Sequence, residues 1–283
     1  MELPFPKFNQ YQSQAPSHPI GKYMRWWQTP ASVLFALLVW DVVVRITHLP
    51  AFILPSPGQV GQRFLQTIND GTLLRHTSAT LLEVVLGLLA GALTATVAGY
   101  LIAKSPLFEK IIGPYLIASQ ALPVVAIAPL LVIWFGAGTF SKVLICSLTV
   151  FFPVLVNTVV GLHTVSADLR ALMRSLHATP LQNLRYLEIP ASLPVFLGGL
   201  RVGATLSVIG AVVGELVGSD RGLGFLISVG RGQYDTALVF VAILTLMTLA
   251  ICLYGLVSVL EHRLLGWQNT PSRTPTNKNS FGV

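Results

Sequence analysis

The sequence predicts an all-α membrane protein with six transmembrane helices and a cytoplasmic two-helix loop between helices 4 and 5. Composition is the first reason: of 283 residues, 53% are hydrophobic and only 10% are charged, whereas a soluble domain carries about 25% charged residues. The second reason is that the apolar residues are gathered into six runs. Most of these runs approach the roughly 20 residues that a helix needs to cross a bilayer.

The six runs set the expected spans, and four of them have an unusual composition. Run three carries Pro114, Pro123 and Pro129 and run four carries Pro153, which leaves two alternatives open: a kinked pathway wall or a kinked structural helix. Runs two and five carry glycines at a spacing of four, such as Gly87 and Gly91, which lets helix backbones approach closely, so we expect ordinary packing for most of them. The runs are Ala31–Ile46, Thr80–Ala103, Ile111–Phe135, Val143–Leu162, Val195–Val217 and Ala237–Leu260.

The distribution of basic residues predicts the orientation of the chain. Six spans place both termini on one side, and the positive-inside rule makes that side cytoplasmic. We expect a polar N-terminal tail over residues 1–29, a transmembrane domain over 30–268 and a disordered tail over 269–283. The expected cytoplasmic residues are Lys7, Lys22, Arg25, Lys104, Lys110, Arg170, Arg174, Arg185, Arg263, Arg273 and Lys278, against Arg63, Arg75, Arg221 and Arg231 outside.

Between runs four and five lies a polar insert with clear helix signals. Apolar residues recur at helical spacing from Val165 to Leu176, with Ser166 as a possible N-cap. A second start follows, in which Thr179 can be the N-cap, Pro180 the first helical residue and Gln182 the third. We expect Pro190 to stop this second helix and Pro194 to open run five.

Two interpretations of the insert remain open. A pair of amphipathic helices can lie on the lipid surface. Alternatively, the helices bind a protein partner and pass force into spans four and five. The capping signals favour the second interpretation, because they predict helices of fixed length joined by a rigid bend.

Polar residues within spans are costly and are functional candidates by default. Gln120 and Asn157 lie on the proline-bearing runs three and four, which favours a pathway role for both. Glu215, near the outer end of run five, either lines a gate, reaches the lipid surface or pairs with Arg221. Glu83 begins run two, and we expect it to be interfacial.

Several chemistries are not expected. Cys146 and Cys252 lie in apolar runs, which predicts small buried hydrophobic residues rather than a disulfide or a metal site. The six histidines show no ligand spacing. No G-x-x-x-x-G-K-[ST] phosphate loop is present, so we expect no ATP, cofactor or catalytic centre in this chain. Basic cytoplasmic loops explain the net charge of +7 without nucleic acid.

The segment ALMRSLHATPLQNLRYLEIPASLPVFLGGLR resembles the EAA loop of ATP-binding-cassette importer permeases. The pieces LPSPGQV, PLLVIWFGAG, FFPVLVNTVVGL, IGAVVGELVG and DTALVF are similar to the nitrate/sulfonate/bicarbonate/taurine branch. The combination of ASQALPVVAIAPLLVIWFG, LMRS and SVIGAVVGE is most similar to permeases for thiamine-pyrimidine precursors.

The resemblance also implies which residues act. The family's Glu falls on Ala171 and its loop glycine on His177, so the contact chemistry of the loop need not be the family's usual one. Histidine accepts a left-handed backbone better than most residues but less easily than glycine. The implied coupling residues are Ala171, Leu172, Met173, Arg174, Ser175, Leu176, His177, Ala178, Thr179, Ile189 and Pro190; the pathway candidates are Gln120, Pro123, Asn157 and Glu215.

The partners implied by the resemblance are a second copy of the chain, a separate subunit that hydrolyses ATP and an extracytoplasmic solute-binding protein. The implied location is a bacterial inner membrane. Two other functional classes make different demands on the sequence. A secondary transporter or channel needs inverted repeats and mid-membrane carboxylates, and a membrane enzyme needs a nucleophile–base pair or a metal cluster. Neither pattern is visible, and the sequence does not name the solute.

Overall fold

A computed structural model describes residues 21–119 and 123–266 of the chain. In these ranges the protein is all-helical, with no strand, as the composition predicted. Predictions for Gln120 and for most of the two tails lie outside the described residues. The helices are α1 Gly21–Thr47, α2 Pro57–Asn69, α3 Thr72–Lys104, α4 Pro106–Ser119, α5 Val124–Phe135, α6 Thr139–His163, α7 Ala167–Ser175, α8 Pro180–Asn183, α9 Ile189–Val217, α10 Leu223–Gly232 and α11 Thr236–Leu264.

Four helical segments among the described residues are long and apolar enough to cross a membrane. They correspond to runs two, four, five and six of the sequence, and they are Thr72–Lys104, Thr139–His163, Pro180–Val217 and Thr236–Leu264. Run three is not the single helix that the sequence predicted. Pro123 has an extended backbone at the start of α5, with φ −75° and ψ 96°, so α4 and α5 are separate helices.

Small residues hold α3, α6 and α9 together at close range. A Cβ atom added to Gly87 on α3 would lie 2.2 Å from the Cβ of Cys146 on α6. A Cβ atom added to Gly210 on α9 would lie 2.9 Å from the Cα of the same cysteine. The packing role expected for the glycines is therefore confirmed. Cys146 is fully buried between the two glycines, but Cys252 is exposed on α11, contrary to expectation.

Pro190 does not stop a helix, and that prediction was wrong. The chain continues from α8 through a π-helical turn, Leu184–Glu188, directly into α9, and Pro194 lies inside α9. A proline ring normally clashes with the carbonyl group four residues earlier. The wider π-helical turn in front of Pro190 leaves room for its ring. The insert and run five consequently form one continuous helical segment.

A buried ionic cluster joins α3, α6 and α9 at the end of the bundle where α9 finishes. Glu83, Lys142 and Glu215 each have only 1% of their surface exposed. The Lys142 Nζ lies 3.4 Å from the Glu83 Oε1 and donates to the Ser219 Oγ at 2.6 Å. The interfacial position expected for Glu83 was therefore wrong. Its partner lies on another helix, and sequence spacing does not reveal it.

The third member of the cluster, Glu215, holds the start of α10. Its Oε1 accepts a hydrogen bond from Thr80 at 2.6 Å, and its Oε2 accepts one from the Gly224 N–H at 2.5 Å. The preceding N–H groups of Leu223 and Gly222 donate to Thr80 Oγ1 and His76 Nδ1 at 2.8 and 3.0 Å. Side chains from α3 and α9 thus satisfy N–H groups that a helix start leaves without intrahelical partners.

The turn before α10 requires glycine at one position. Gly222 has φ +112°, and a Cβ atom there would lie 2.2 Å from the Glu215 Cδ. The Glu215 side chain neither reaches the surface nor pairs with Arg221, whose Nε lies 3.9 Å from the Asp220 Oδ1. The two corresponding expectations for Glu215 are therefore corrected.

We predict that Lys142→Met lowers the free energy of unfolding by about 3–5 kcal/mol, because it leaves buried carboxylates without their cation. Thermal unfolding of the detergent-solubilised protein measures the effect. Adding Glu83→Gln to Lys142→Met is expected to recover most of the loss. Lys110→Met is the matched control, since Lys110 is exposed and expected to be nearly neutral. Equal losses for Lys142→Met and Lys110→Met would contradict this assignment.

Candidate functional site

The loop between α6 and α9 lies at the opposite end of the bundle from the ionic cluster. Helix α7 begins after Ser166, whose side chain accepts a hydrogen bond from the Leu169 N–H at 3.3 Å. This is the N-cap that the sequence predicted. Asp168 in the first turn and Arg174 in the last turn suit the helix dipole.

A tight bend at His177 ends α7. His177 has φ +50°, the left-handed conformation expected at this position. The Ala178 N–H donates to the Met173 carbonyl group and the His177 N–H to the Arg174 carbonyl group, both at 3.0 Å. These two bonds make a Schellman motif, which usually has glycine where His177 stands. The bend is therefore fixed by backbone hydrogen bonds, even without glycine.

The second helix start is also as predicted. The Thr179 Oγ1 accepts from the Gln182 N–H at 3.3 Å, and the Gln182 Oε1 accepts from the Thr179 N–H at 2.8 Å. Pro180 occupies the first turn of α8, where its missing N–H costs nothing. Hydrogen bonds of the bend and of the capping box thus fix the backbone between α7 and α8.

Several large apolar side chains on this loop are exposed. Leu172 is 53% exposed and Leu181 is 72% exposed, and three further large side chains are similarly exposed. We call this set the loop face: Leu169, Leu172, Leu176, Leu181 and Tyr186. Leu169, Leu172 and Leu176 share one side of α7, and exposed apolar surface of this kind marks interaction sites.

A basic cleft lies beneath the loop, between α7, α8 and the end of α3. It has a volume of about 440 Å³ and is lined by Lys104, Arg170, Arg174, Asn183 and Glu188, among others. The Lys104 Nζ lies 2.5 Å from the Glu188 Oε1, which also accepts from the Asn183 Nδ2 at 2.6 Å. The first contact attaches the π-helical turn to α3, and the second joins it to α8.

The predicted pathway residues do not come together within the protomer. Asn157 donates to the Pro153 carbonyl group at 2.8 Å and packs against Gly199 of α9. Glu215 lies in the ionic cluster, toward the other end of the bundle. Pro123 precedes α5, and Gln120 is outside the described residues. A pathway role for these four residues stays a prediction.

Sequence reasoning missed the pairing of Arg201. This residue lies inside the Pro180–Val217 span rather than at its edge. Its guanidinium forms an ion pair with Glu261 of α11 and donates to the Tyr254 hydroxyl at 3.3 Å. The sequence signal was a charged residue in an apolar run. Its place well inside a span became clear only when the structure showed that the helical segment begins at Pro180, upstream of run five.

The chain matches a protein family and several of its members over most of their length. The family described as "Binding-protein-dependent transport system inner membrane component" matches residues 87–266. The riboflavin transport system permease protein of Chloroflexus aurantiacus is 44% identical over 239 residues, covering 84% of this chain and 89% of that protein. The formylaminopyrimidine transport permease of Halalkalibacterium halodurans is 35% identical, covering 83% and 93%. The taurine permease of Escherichia coli is 32% identical, covering 82% and 86%.

A solved structure shares this fold. The inward-facing MetNI methionine ABC transporter gives a TM-score of 0.59 at 17% identity, covering 68% of this chain and 96% of the matched chain. At this identity the likeness concerns the fold alone, and the sequence matches carry the family. The chain therefore belongs to the binding-protein-dependent transport system inner membrane component family, as a non-catalytic permease subunit of an ATP-binding-cassette importer.

Proposed function

We propose that two copies of this chain form a solute pathway, and that a separate ATPase drives it by engaging α7, the His177 bend and α8. The loop face carries this proposal, because its large apolar side chains are exposed on a rigidly capped loop at one end of the bundle. The resemblance of the same segment to the EAA loop supports the choice of an ATPase as the partner. An extracytoplasmic binding protein would deliver solute at the other end.

The continuous helical segment supplies a mechanical link between the ATPase and the pathway. Pro180–Val217 runs from the loop to the ionic cluster without interruption. Lys104 of α3 fixes its lower end through Glu188, while Glu215 at its upper end accepts a hydrogen bond from the Gly224 N–H of α10. A movement of the loop would therefore displace the turn before α10, the element that we assign to the outer gate.

The proposed topology has six crossings, with both termini in the cytoplasm of a bacterial inner-membrane protein. Helix α1 covers run one, and α4 and α5 together would make one crossing that is broken at Pro123. The bias of basic residues toward the loop side supports this orientation. The tails over 1–29 and 269–283 remain a prediction.

For the solute, we propose a small aromatic heterocycle of the flavin or pyrimidine type. The riboflavin and formylaminopyrimidine permeases are 44% and 35% identical to this chain, against 32% for the taurine permease. Nitrate, sulfonates and bicarbonate are the other solutes associated with the branch. Uptake of radiolabelled riboflavin compared with taurine, by cells that express the full transporter, distinguishes these classes.

We predict that Leu172→Glu abolishes co-purification with the ATPase, because it places a charge in the centre of the loop face. Ala171→Glu is the matched control. It adds the same carboxylate one residue earlier, where the family has Glu, and is expected to keep the complex. Pull-down of the tagged permease measures both variants. If the Leu172→Glu variant still co-purifies with the ATPase, the loop face is not its docking site.

We predict that a cysteine at Ser175 is labelled only from the cytoplasmic side and a cysteine at Arg231 only from outside. Both sites are exposed, at opposite ends of the bundle. An impermeant maleimide is applied to intact cells, where it reaches only the outer side, and to inverted membrane vesicles, where it reaches only the cytoplasmic side. The background is Cys252→Ser, because Cys252 is exposed. Reversed labelling would invert the proposed orientation.

We predict that proteoliposomes containing the permease, its ATPase and its binding protein take up solute only with ATP. The alternative is an ATP-independent secondary transporter or channel, which this assay also tests. Liposomes that contain the permease alone serve as the control and are expected to show no uptake. Uptake by the permease alone, without ATP, would establish the alternative.

A further inference from the structure

An apolar groove lies next to the basic cleft, toward the membrane-spanning part of the bundle. The groove has a volume of about 430 Å³ and lies between α3, α6 and α9. Its lining is almost entirely apolar, with Tyr100, Leu101, Leu162, Leu193 and Phe196 among its walls. The cleft, in contrast, is lined by three basic residues and one acidic residue.

Side-chain contacts connect the two parts. Lys104, in the cleft, has its Nζ 5.4 Å from the ring centroid of Tyr100, in the groove. Arg170, in the cleft, donates to the carbonyl group of Leu162, in the groove, at 2.7 Å. The cleft and the groove are therefore neighbours, and we refer to the two together as the cavity.

The cleft has a net positive charge, because its lining contains three basic residues and one acidic residue. Glu188 pairs with Lys104, which leaves Arg170 and Arg174. Neither arginine has an ion-pair partner among residues 21–119 and 123–266. Arginine binds phosphate groups through pairs of parallel hydrogen bonds, so this cleft is suited to a phosphate-bearing ligand.

We propose that the cavity binds one anionic phospholipid, with its phosphate at Arg170 and Arg174, next to Lys104, and an acyl chain in the apolar groove. Basic pockets between transmembrane helices at the cytoplasmic surface bind acidic headgroups. An aromatic residue such as Tyr100 at the same level is typical of the membrane interface. The lipid would join the end of α3 to α7, and so stabilise the loop that the ATPase engages. The binding site itself does not depend on the proposed coupling.

The alternative occupant is an acidic side chain of the ATPase, and two observations favour the lipid. The loop face points away from the cleft, since Leu169, Leu172 and Leu176 lie on a different side of α7 from Arg170 and Arg174. An acidic side chain would also leave the apolar groove empty. One diacyl lipid fills both parts of the cavity.

Native mass spectrometry of the full-length chain, alone and with its ATPase, tests the proposal. The probes are dioleoyl phosphatidylglycerol, dioleoyl phosphatidylcholine and inorganic phosphate. We expect one phosphatidylglycerol to bind in preference to phosphatidylcholine. Lys104→Gln and Arg174→Gln should each weaken its binding about fivefold, the effect of removing one basic residue at a membrane surface. Arg185→Gln, which removes a basic residue outside the cleft, is the matched control and is expected to have no effect.

Leu193→Trp fills the groove and tests the acyl chain separately. It should weaken dioleoyl phosphatidylglycerol but leave the short-chain dihexanoyl form unaffected. Equal binding by the wild type, Lys104→Gln and Arg174→Gln would overturn the proposal, as would an equal loss with Arg185→Gln. If inorganic phosphate displaces the lipid and Leu193→Trp does not weaken lipid binding, the site binds anions only and the groove does not hold an acyl chain. If Arg174→Gln no longer binds the ATPase but binds the lipid as well as the wild type does, the cleft is a binding site for the ATPase and the proposal is wrong.

Discussion

Around Gly87, Cys146 and Gly210 the helices α3, α6 and α9 are in direct backbone contact, so polar groups buried at this end of the bundle must find partners within the protein. The contact of Gly87 with Cys146 illustrates how near the helices lie. Lys142 therefore reaches Glu83 on α3 and Ser219 beyond α9, and Glu215 accepts hydrogen bonds from α3 and α10. Four helices are fixed relative to one another by one buried cluster.

The loop lies at the start of the same helical segment, Pro180–Val217, whose other end this cluster fixes. Glu215 holds the end of α9, and no break separates α9 from α8. Lys104 and Glu188 provide a second point of attachment near the loop. In the proposed mechanism, a displacement applied at Thr179 would therefore be transmitted along the whole segment, and this helical segment would carry the motion of the partner ATPase.

Local signals could be recognised in the sequence, whereas features that depend on contacts between helices could not. The capping box of Thr179 and Gln182 and the left-handed bend at His177 involve residues only a few positions apart, and both were predicted. Pro190 was predicted to end a helix, because a π-helical turn leaves no trace in residue spacing. Glu83 and Lys142 are far apart in the chain, so only the packing of α3 against α6 shows that they form an ion pair.

The central claim is that Pro180–Val217 moves as one rigid element. Pulsed electron paramagnetic resonance between spin labels at Leu181 and Val217 tests it in the assembled transporter, across a span of about 54 Å for 36 residues of helix. Our account predicts that this distance is the same with and without ATP, while the distance between the Leu181 positions of the two proposed copies changes. A change between Leu181 and Val217 as large as that between the two Leu181 positions would contradict it, because the π-helical turn would then act as a hinge.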